Sequence, residues 1–291
     1  MELRDRRQLA LMLAPYVVGL TALVALPALV TFALALTEYD LIRAPRFVGL
    51  DNLRELWGDE VFHTALLNSA VFAAIAVPLR VGAALGRALL LHGGFRGSGS
   101  GRSAAIRPDV AYGLLWLWLL NPLYGPITLF LAWLGPPGRT IWGLPLPQFL
   151  THPNDARAAI IILSVFTIGE GFVLLLVARQ SLPGELFELA AIEDATAWSV
   201  FRRVTLPLLA PILVLLLLRD TILSFQLNFV PALVVTEGGP PPYSTTYLPL
   251  FVYRTGFEYL RYGYASAATL LMFGLTAAAV WLQWRVLRRV F

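Results

Sequence analysis

Five ionisable side chains lie inside otherwise apolar stretches of this 291-residue chain: Arg80, Arg87, Glu170, Arg219 and Asp220. A charge in hydrocarbon is costly, so such groups face a cavity or each other. Arg87 falls near the end of its stretch and is expected to snorkel to the surface. Glu170, Arg219 and Asp220 are followed by Phe225, Gln226, Asn228 and Phe229, and the spacing of Arg219 and Gln226 places both on one helix face. Carboxylates and amides that hydrogen-bond hydroxyls, beside aromatic rings for C–H surfaces, are the chemistry of a sugar path. The same charges also suit a structural network, Arg80 with Glu170 or Asp220, that locks helices together. Both readings stand at this stage.

A second polar set must sit in water. Residues 185–203 carry Glu185, Glu188, Glu193, Asp194, Arg202 and Arg203, too many charges for lipid. Two short helices are expected. Pro183 fits the first turn of one, and Asp194 is expected to cap a second that begins near Ala195 and presents Trp198 and Phe201. Pro207 and Pro211 then mark entry into the next apolar stretch. Such a pair suits a groove on a soluble partner, or simply the lipid interface.

The elements that position these sets follow from composition. Hydrophobic residues make up 58% of the chain and charged residues 14%, against about 25% charged in soluble domains, and mean hydropathy is +0.70. This is the composition of an all-α integral membrane protein. A spanning helix takes roughly 20 apolar residues, and six are expected, at about 9–36, 64–91, 104–122, 157–179, 204–231 and 263–285. The first run is longer than a secretory leader core of roughly 7–15 residues, so it is read as an uncleaved span. A single transmembrane domain over 1–291 is expected. Trp116 and Trp118 are expected as interfacial or lipid-facing belt residues.

Arginine supplies all 22 basic residues. Arg4, Arg6 and Arg7, then Arg96 and Arg102, then Arg179, Arg202 and Arg203, then Arg285, Arg288 and Arg289 fall on one side of a six-span chain. That side is the cytoplasm by the positive-inside rule, with both termini and residues 185–203 there. The net charge of +4 is therefore assigned to these loops and not to nucleic-acid binding. Residues 92–103 read as a flexible turn, 122–153 as a proline-rich outer loop and 237–243 as a rigid outer turn. There is no cysteine, so disulfides and cysteine metal sites are excluded. His63, His92 and His152 lack metal-ligand spacing, the hydroxyls lack a base, and the glycines at 93–101 lack the lysine of a phosphate-binding loop. No enzyme activity and no cofactor are expected on this chain.

Residues 185–211 resemble the EAA loop of ABC-importer permeases: Glu188, Ala190, Ala195, Phe201, Leu206, Pro207 and Pro211 match its pattern. Gln180-Ser-Leu-Pro183, Phe47-Val-Gly-Leu-Asp-Asn52, Leu115-Trp-Leu-Trp-Leu-Leu-Asn-Pro-Leu-Tyr-Gly125, Ser224-Phe-Gln226, Gly238-Gly-Pro240 and Tyr262-Gly-Tyr-Ala-Ser266 are similar, in order, to segments of the maltose/glycerol-phosphate type. The resemblance covers nearly the whole chain. It departs at Leu189 for Ala, Glu193 for Asp and Asp194 for Gly. Asp tolerates the left-handed backbone better than most residues, so the turn is expected to persist.

The resemblance implies the six-helix type I importer permease fold, a second homologous permease, a cytoplasmic ABC ATPase dimer carrying ATP and Mg, and an extracytoplasmic solute-binding protein delivering a sugar or oligosaccharide. It implies docking to the ATPase by Glu188, Ala190, Glu193, Asp194, Ala195, Trp198 and Phe201, in a bacterial or archaeal inner membrane. An ion-coupled secondary transporter and a non-transporting membrane scaffold are the alternatives.

Overall fold

The computed structural model describes residues 2–91, 109–134, 140–141, 144–145, 147–167, 169–226 and 228–290. The 92–103 turn, residues 104–108 of the third expected span, and the side chains of Arg4, Arg6, Arg7 and Arg289 lie outside the described residues. Among the described residues, four helices are long and apolar enough to cross a membrane: Leu11–Leu34, Glu60–Leu90, Ala197–Gln226 and Tyr262–Arg288. Pro153–Val165 and Gly169–Gln180 pass together as one more, bent by 42°. Val110–Leu119 is a shorter apolar helix. Helices dominate because lipid offers no partner to a backbone N–H or C=O.

In chain order the elements are α1 (Glu2–Leu20), α2 (Leu26–Leu34), β1 (Thr37–Glu38), β2 (Arg46–Phe47), α3 (Asp51–Trp57), α4 (Glu60–Leu91), α5 (Asp109–Leu119), α6 (Pro126–Leu134), β3 (Thr140–Ile141), β4 (Leu144–Pro145), α7 (Pro153–Val165), α8 (Gly169–Gln180), α9 (Glu185–Ile192), α10 (Ala197–Val200), α11 (Leu206–Gln226), α12 (Phe229–Thr236), α13 (Leu248–Tyr253) and α14 (Tyr262–Val290). Wide π-helical turns at Thr21–Ala25 and Phe201–Thr205 join α1 to α2 and α10 to α11. Each precedes a Leu-Pro pair, Pro27 or Pro207. A proline ring clashes with the carbonyl four residues back, and the wider turn relieves that clash while keeping the helix continuous.

The chain forms two compact units. The first comprises residues 1–60 and 252–274. Here the segments around Phe47–Asn52 and Tyr262–Ser266 share one anchor, the Thr37 strand. Buried Asn52 donates to the carbonyls of Ala35 and Thr37, both at 2.9 Å. Gly263 lies so close that a Cβ there would sit 1.9 Å from the Thr37 oxygen. Arg261 pairs with Glu55 at 2.7 Å, and the Tyr264 hydroxyl donates to Asp59 at 2.7 Å. The amide of Arg43, with that of Ile42, holds the Asp40 carboxyl below its ordinary range.

The second unit comprises residues 61–251 and 275–291. One core joins α4, α5, α7 and α12 through Phe72, Ala76, Trp116, Ile160, Leu163, Ala232 and Tyr247. Another joins α4, α8 and α11 through Val81, Ala84, Phe172, Leu175, Leu209 and Leu216. Long helix α4 thus serves both. The expected outer turn at 237–243 opens a deeply buried loop. Glu237, Gly238 and Gly239 all take left-handed backbone, and a Cβ on Gly239 would meet the Ser244 Oγ at 2.4 Å. Ser244, Thr245, Thr246 and Tyr247 are almost fully buried. Their backbone is held by side chains from the spans: Asn68 donates to the Tyr243 and Thr246 carbonyls, and Arg157 to that of Ser244.

Three local expectations are corrected. Trp116 is buried, packed against Tyr112 and Phe166, while Trp118 alone of the pair is exposed, because residues two apart lie on opposite sides of a helix. The apolar run 204–231 is not one helix: α11 ends at Gln226 and α12 starts at Phe229. Residues 122–153 contain an apolar helix, α6, begun by Pro126 in the first-turn position that needs no donor.

Candidate functional site

Two interruptions in apolar helices point to the same place. Between α7 and α8 the chain tightens: the amides of Phe166 and Thr167 bond three residues back, and the Thr167 hydroxyl donates to the Ser164 carbonyl. Between α11 and α12 the break falls at Asn228. Irregular backbone at membrane depth is tolerated where it lines a cavity or is buried in protein. Ser164, Thr167 and Asn228 all line a cavity of about 320 Å3 between the two cores of this unit, at the small end of the roughly 300–1,000 Å3 of ligand sites.

The cavity wall holds four charges, Arg80, Glu170, Arg219 and Asp220. Arg80 of α4 pairs with Asp220 of α11, Nε to Oδ2 at 2.9 Å, with both side chains largely buried. Its guanidinium also donates to the Asp220 carbonyl at 3.3 Å and to the Ser224 hydroxyl, and lies 6.0 Å from the centre of the Phe72 ring. Arg219 of α11 pairs with Glu170, in the first turn of α8, and this pair is more exposed. A carboxylate is favoured at a helix N-terminus. Asn228 is 6% exposed, and its Nδ2 has no hydrogen-bond partner among the described residues. A buried amide donor left open beside a cavity is a group waiting for an acceptor.

Of the residues singled out in the sequence, Glu170, Arg219, Asp220 and Asn228 line this cavity. Phe225 is buried, Gln226 is exposed, and Phe229 packs against the α4–α5–α7–α12 core; none of the three lines it. Arg80 lines it as Asp220's partner, and Tyr112, Ser164 and Thr167 were not anticipated. No sequence signal marks these three, since a hydroxyl in an apolar helix can satisfy itself on local backbone or on the carbonyl of a neighbouring helix. Ser164 and Thr167 bond locally, donating to the carbonyls of Ile161 and Ser164, while Tyr112 of α5 donates to the Leu163 carbonyl of α7.

The second candidate surface is the α9–α10 pair. Asp194 has φ of 50°. The amide of Ala195 reaches the Ala190 carbonyl at 3.0 Å and that of Asp194 reaches Ala191 at 3.2 Å. That pair of bonds is a Schellman ending with Asp194 at the left-handed position usual for glycine. The cap of α10 is not Asp194 but Thr196, whose backbone is extended and whose hydroxyl accepts from the Ser199 amide, so α10 begins at Ala197. Glu188, Glu193, Asp194 and Ala195 are exposed and Ala190 half-buried. Leu189, Ile192 and Trp198 are 59%, 79% and 68% exposed, with the Trp198 ring tilted against that of half-buried Phe201 at 5.4 Å between centroids. At the other end of the loop the Arg179 guanidinium covers the Phe187 ring at 4.1 Å.

Apolar spans around a polar, charge-paired cavity, with an exposed helix pair leading into one span, define a multi-pass membrane transport component. Comparison with protein-family models finds no match. Among curated proteins, the lactose transport system permease protein LacF of Rhizobium radiobacter is 31% identical over 251 residues, 84% of this chain and 82% of that protein. The sulfoquinovosyl glycerol transport system permease protein SmoG of Agrobacterium fabrum is 29% identical over 99% of this chain and 92% of its own length. The sn-glycerol-3-phosphate transport system permease protein UgpA of Yersinia enterocolitica is 30% identical over 84% of this chain and 81% of its own length. The fold is that of a chain in the crystal structure of a bacterial ABC transporter involved in import of the acidic polysaccharide alginate, with a TM-score of 0.80, 21% identity and coverage of 99% and 98% of the two chains. The chain belongs to the permease family of ABC sugar import systems, and it is a transport component, not itself an enzyme.

Proposed function

We propose that this chain forms half of the translocation path of an ATP-driven carbohydrate importer, the other half coming from a second homologous permease. In this reading α5 is the third of six spans and both termini are cytoplasmic. A solute-binding protein delivers sugar from outside. The α9–α10 pair docks on a cytoplasmic ABC ATPase dimer, which alone carries ATP and Mg, and ATPase closure rocks the spans between outward and inward openings. The cavity at Arg80, Asp220, Glu170, Arg219 and Asn228 is this chain's share of the solute path.

The observation that carries the reading is the exposed row of Leu189, Ile192 and Trp198 beside Glu188, held by a Schellman turn and joined to α11 by a continuous helical turn. Large apolar side chains presented on short rigid helices are anchors for a groove, and the continuous connection passes a push on them into the span. Co-purification of the ATPase with Trp198→Ala and Glu188→Ala variants tests it. Both are expected to lower ATPase recovery or to leave hydrolysis running without uptake. Wild-type yield and coupled uptake in both variants would remove the docking role.

A further inference from the structure

Resting on the reading of the cavity as solute path, we infer that it takes an uncharged, hydroxyl-rich solute and excludes phosphorylated, sulfonated or carboxylated ones. Among the described residues the cavity wall carries two arginines and two carboxylates and no other ionisable acid or base except the Tyr112 phenol. Each arginine is already closed by a carboxylate, Arg80 by Asp220 and Arg219 by Glu170. Arg80 is held further by its Nη2, which donates to the Asp220 carbonyl and the Ser224 hydroxyl, while its Nε lies 2.9 Å from the Asp220 carboxylate without a well-aligned hydrogen bond. Among the described residues an anion entering here meets no cation without a carboxylate partner. Seizing the Arg80 guanidinium would strand the largely buried Asp220 carboxylate, which is strongly unfavourable, and seizing Arg219 would have to displace Glu170 from its pair.

What the wall does leave open is neutral. The buried Asn228 amide has a donor without a partner among the described residues, and the hydroxyl oxygens of Ser164 and Thr167, whose protons go to backbone carbonyls, can still accept. Carboxylate oxygens not consumed by the ion pairs can accept from solute hydroxyls. Apolar wall from Val81, Leu216 and Pro231 meets C–H surface. Relatives of this chain are named for both kinds of cargo, lactose on one hand and sn-glycerol-3-phosphate on the other, so overall similarity does not decide between them, whereas the pairing of the wall charges does.

Because the chain has no cysteine, one introduced thiol reads the cavity's charge. Thr167→Cys places it on an exposed wall position. In the assembled importer in membrane vesicles, its modification by an uncharged hydroxyethyl and an anionic sulfonatoethyl methanethiosulfonate is followed by the mass of this chain. The ratio of the two rates is divided by that for free cysteine. The corrected ratio is expected near one, and Glu170→Gln or Asp220→Asn, each freeing an arginine, is expected to raise it about tenfold. A ratio already favouring the anion in the paired protein, or no rise when either carboxylate is neutralised, overturns the inference. Glu170→Gln removes the more exposed partner and so keeps the test available should the buried Asp220→Asn variant fail to assemble. A separate comparison tests the underlying reading. The uncharged reagent's rate is expected to differ between the resting and the vanadate-trapped importer. An unchanged rate would remove the cavity from the transport path, and the inference with it, whatever the charge ratio.

Discussion

Arg219 and Asp220 are adjacent in sequence yet hold different helices, Arg219 reaching Glu170 on α8 and Asp220 reaching Arg80 on α4. Consecutive residues point about 100° apart around a helix, so one dipeptide on α11 can tie two neighbours. The sequence shows that these charges need partners but not which, because pairing depends on the rotation of three helices about their axes. Asn228 was legible as a polar group in an apolar run. Its unused donor was not, since that depends on the helix break beside it. The buried Arg80–Asp220 pair makes a double-mutant prediction. Asp220→Leu alone leaves the guanidinium uncompensated and is expected to cost about 3–5 kcal/mol, while Arg80→Met with Asp220→Leu removes both charges and is expected to recover most of that loss. Thermal unfolding of the purified permease complex gives the order. If the double variant melts at or below the temperature of the single, the wall charges do not stabilise one another as argued.

At the scale of elements, the long apolar helices were legible because a run of hydrophobic residues dictates them: α4 and α14 cover the expected 64–91 and 263–285, and α11 covers most of the expected 204–231. Their interruptions were not, since the long apolar runs continue around them while α7 ends at Val165, α8 starts at Gly169, α11 ends at Gln226 and α12 starts at Phe229. The turn between α9 and α10 was legible at Asp194, where a left-handed residue was expected and is found, and illegible at the cap, which passes to Thr196. A β-branched residue at φ near 50° carries the full steric penalty of that region, about 1–2 kcal/mol, whereas glycine carries none. Asp194→Val is therefore expected to unlatch the Ala195 amide from Ala190 and speed its hydrogen exchange about tenfold, with Asp194→Gly exchanging as wild type. Equal exchange in both variants would mean that the Schellman bonds do not hold this turn.

At the scale of the whole molecule the proposal stands on sidedness. An ATPase can grip α9–α10 only from the cytoplasm, and a binding protein can reach only the opposite face. Six spans put the segment after the third and the segment after the fourth on opposite sides. Leu123, after α5, is 82% exposed and Ile192, at the end of α9, is 79% exposed. Both sites are therefore open to a reagent, and the absence of native cysteine makes each substitution a single reporter. In intact cells a membrane-impermeant maleimide is expected to modify Leu123→Cys and to spare Ile192→Cys. In inverted vesicles the pattern is expected to reverse. The result depends on α5 crossing the membrane together with the bent α7–α8 pair as one span. If α5 did not cross, or if α7 and α8 formed a re-entrant loop returning to its own side, one crossing would be lost between the reporters and the termini. If α7 and α8 form a re-entrant loop, both thiols label from the same face. If α5 alone fails to cross, the two still label oppositely but with the sides exchanged. Either outcome would place the exposed apolar helix pair, or its connection to the spans, where no cytoplasmic motor could work it.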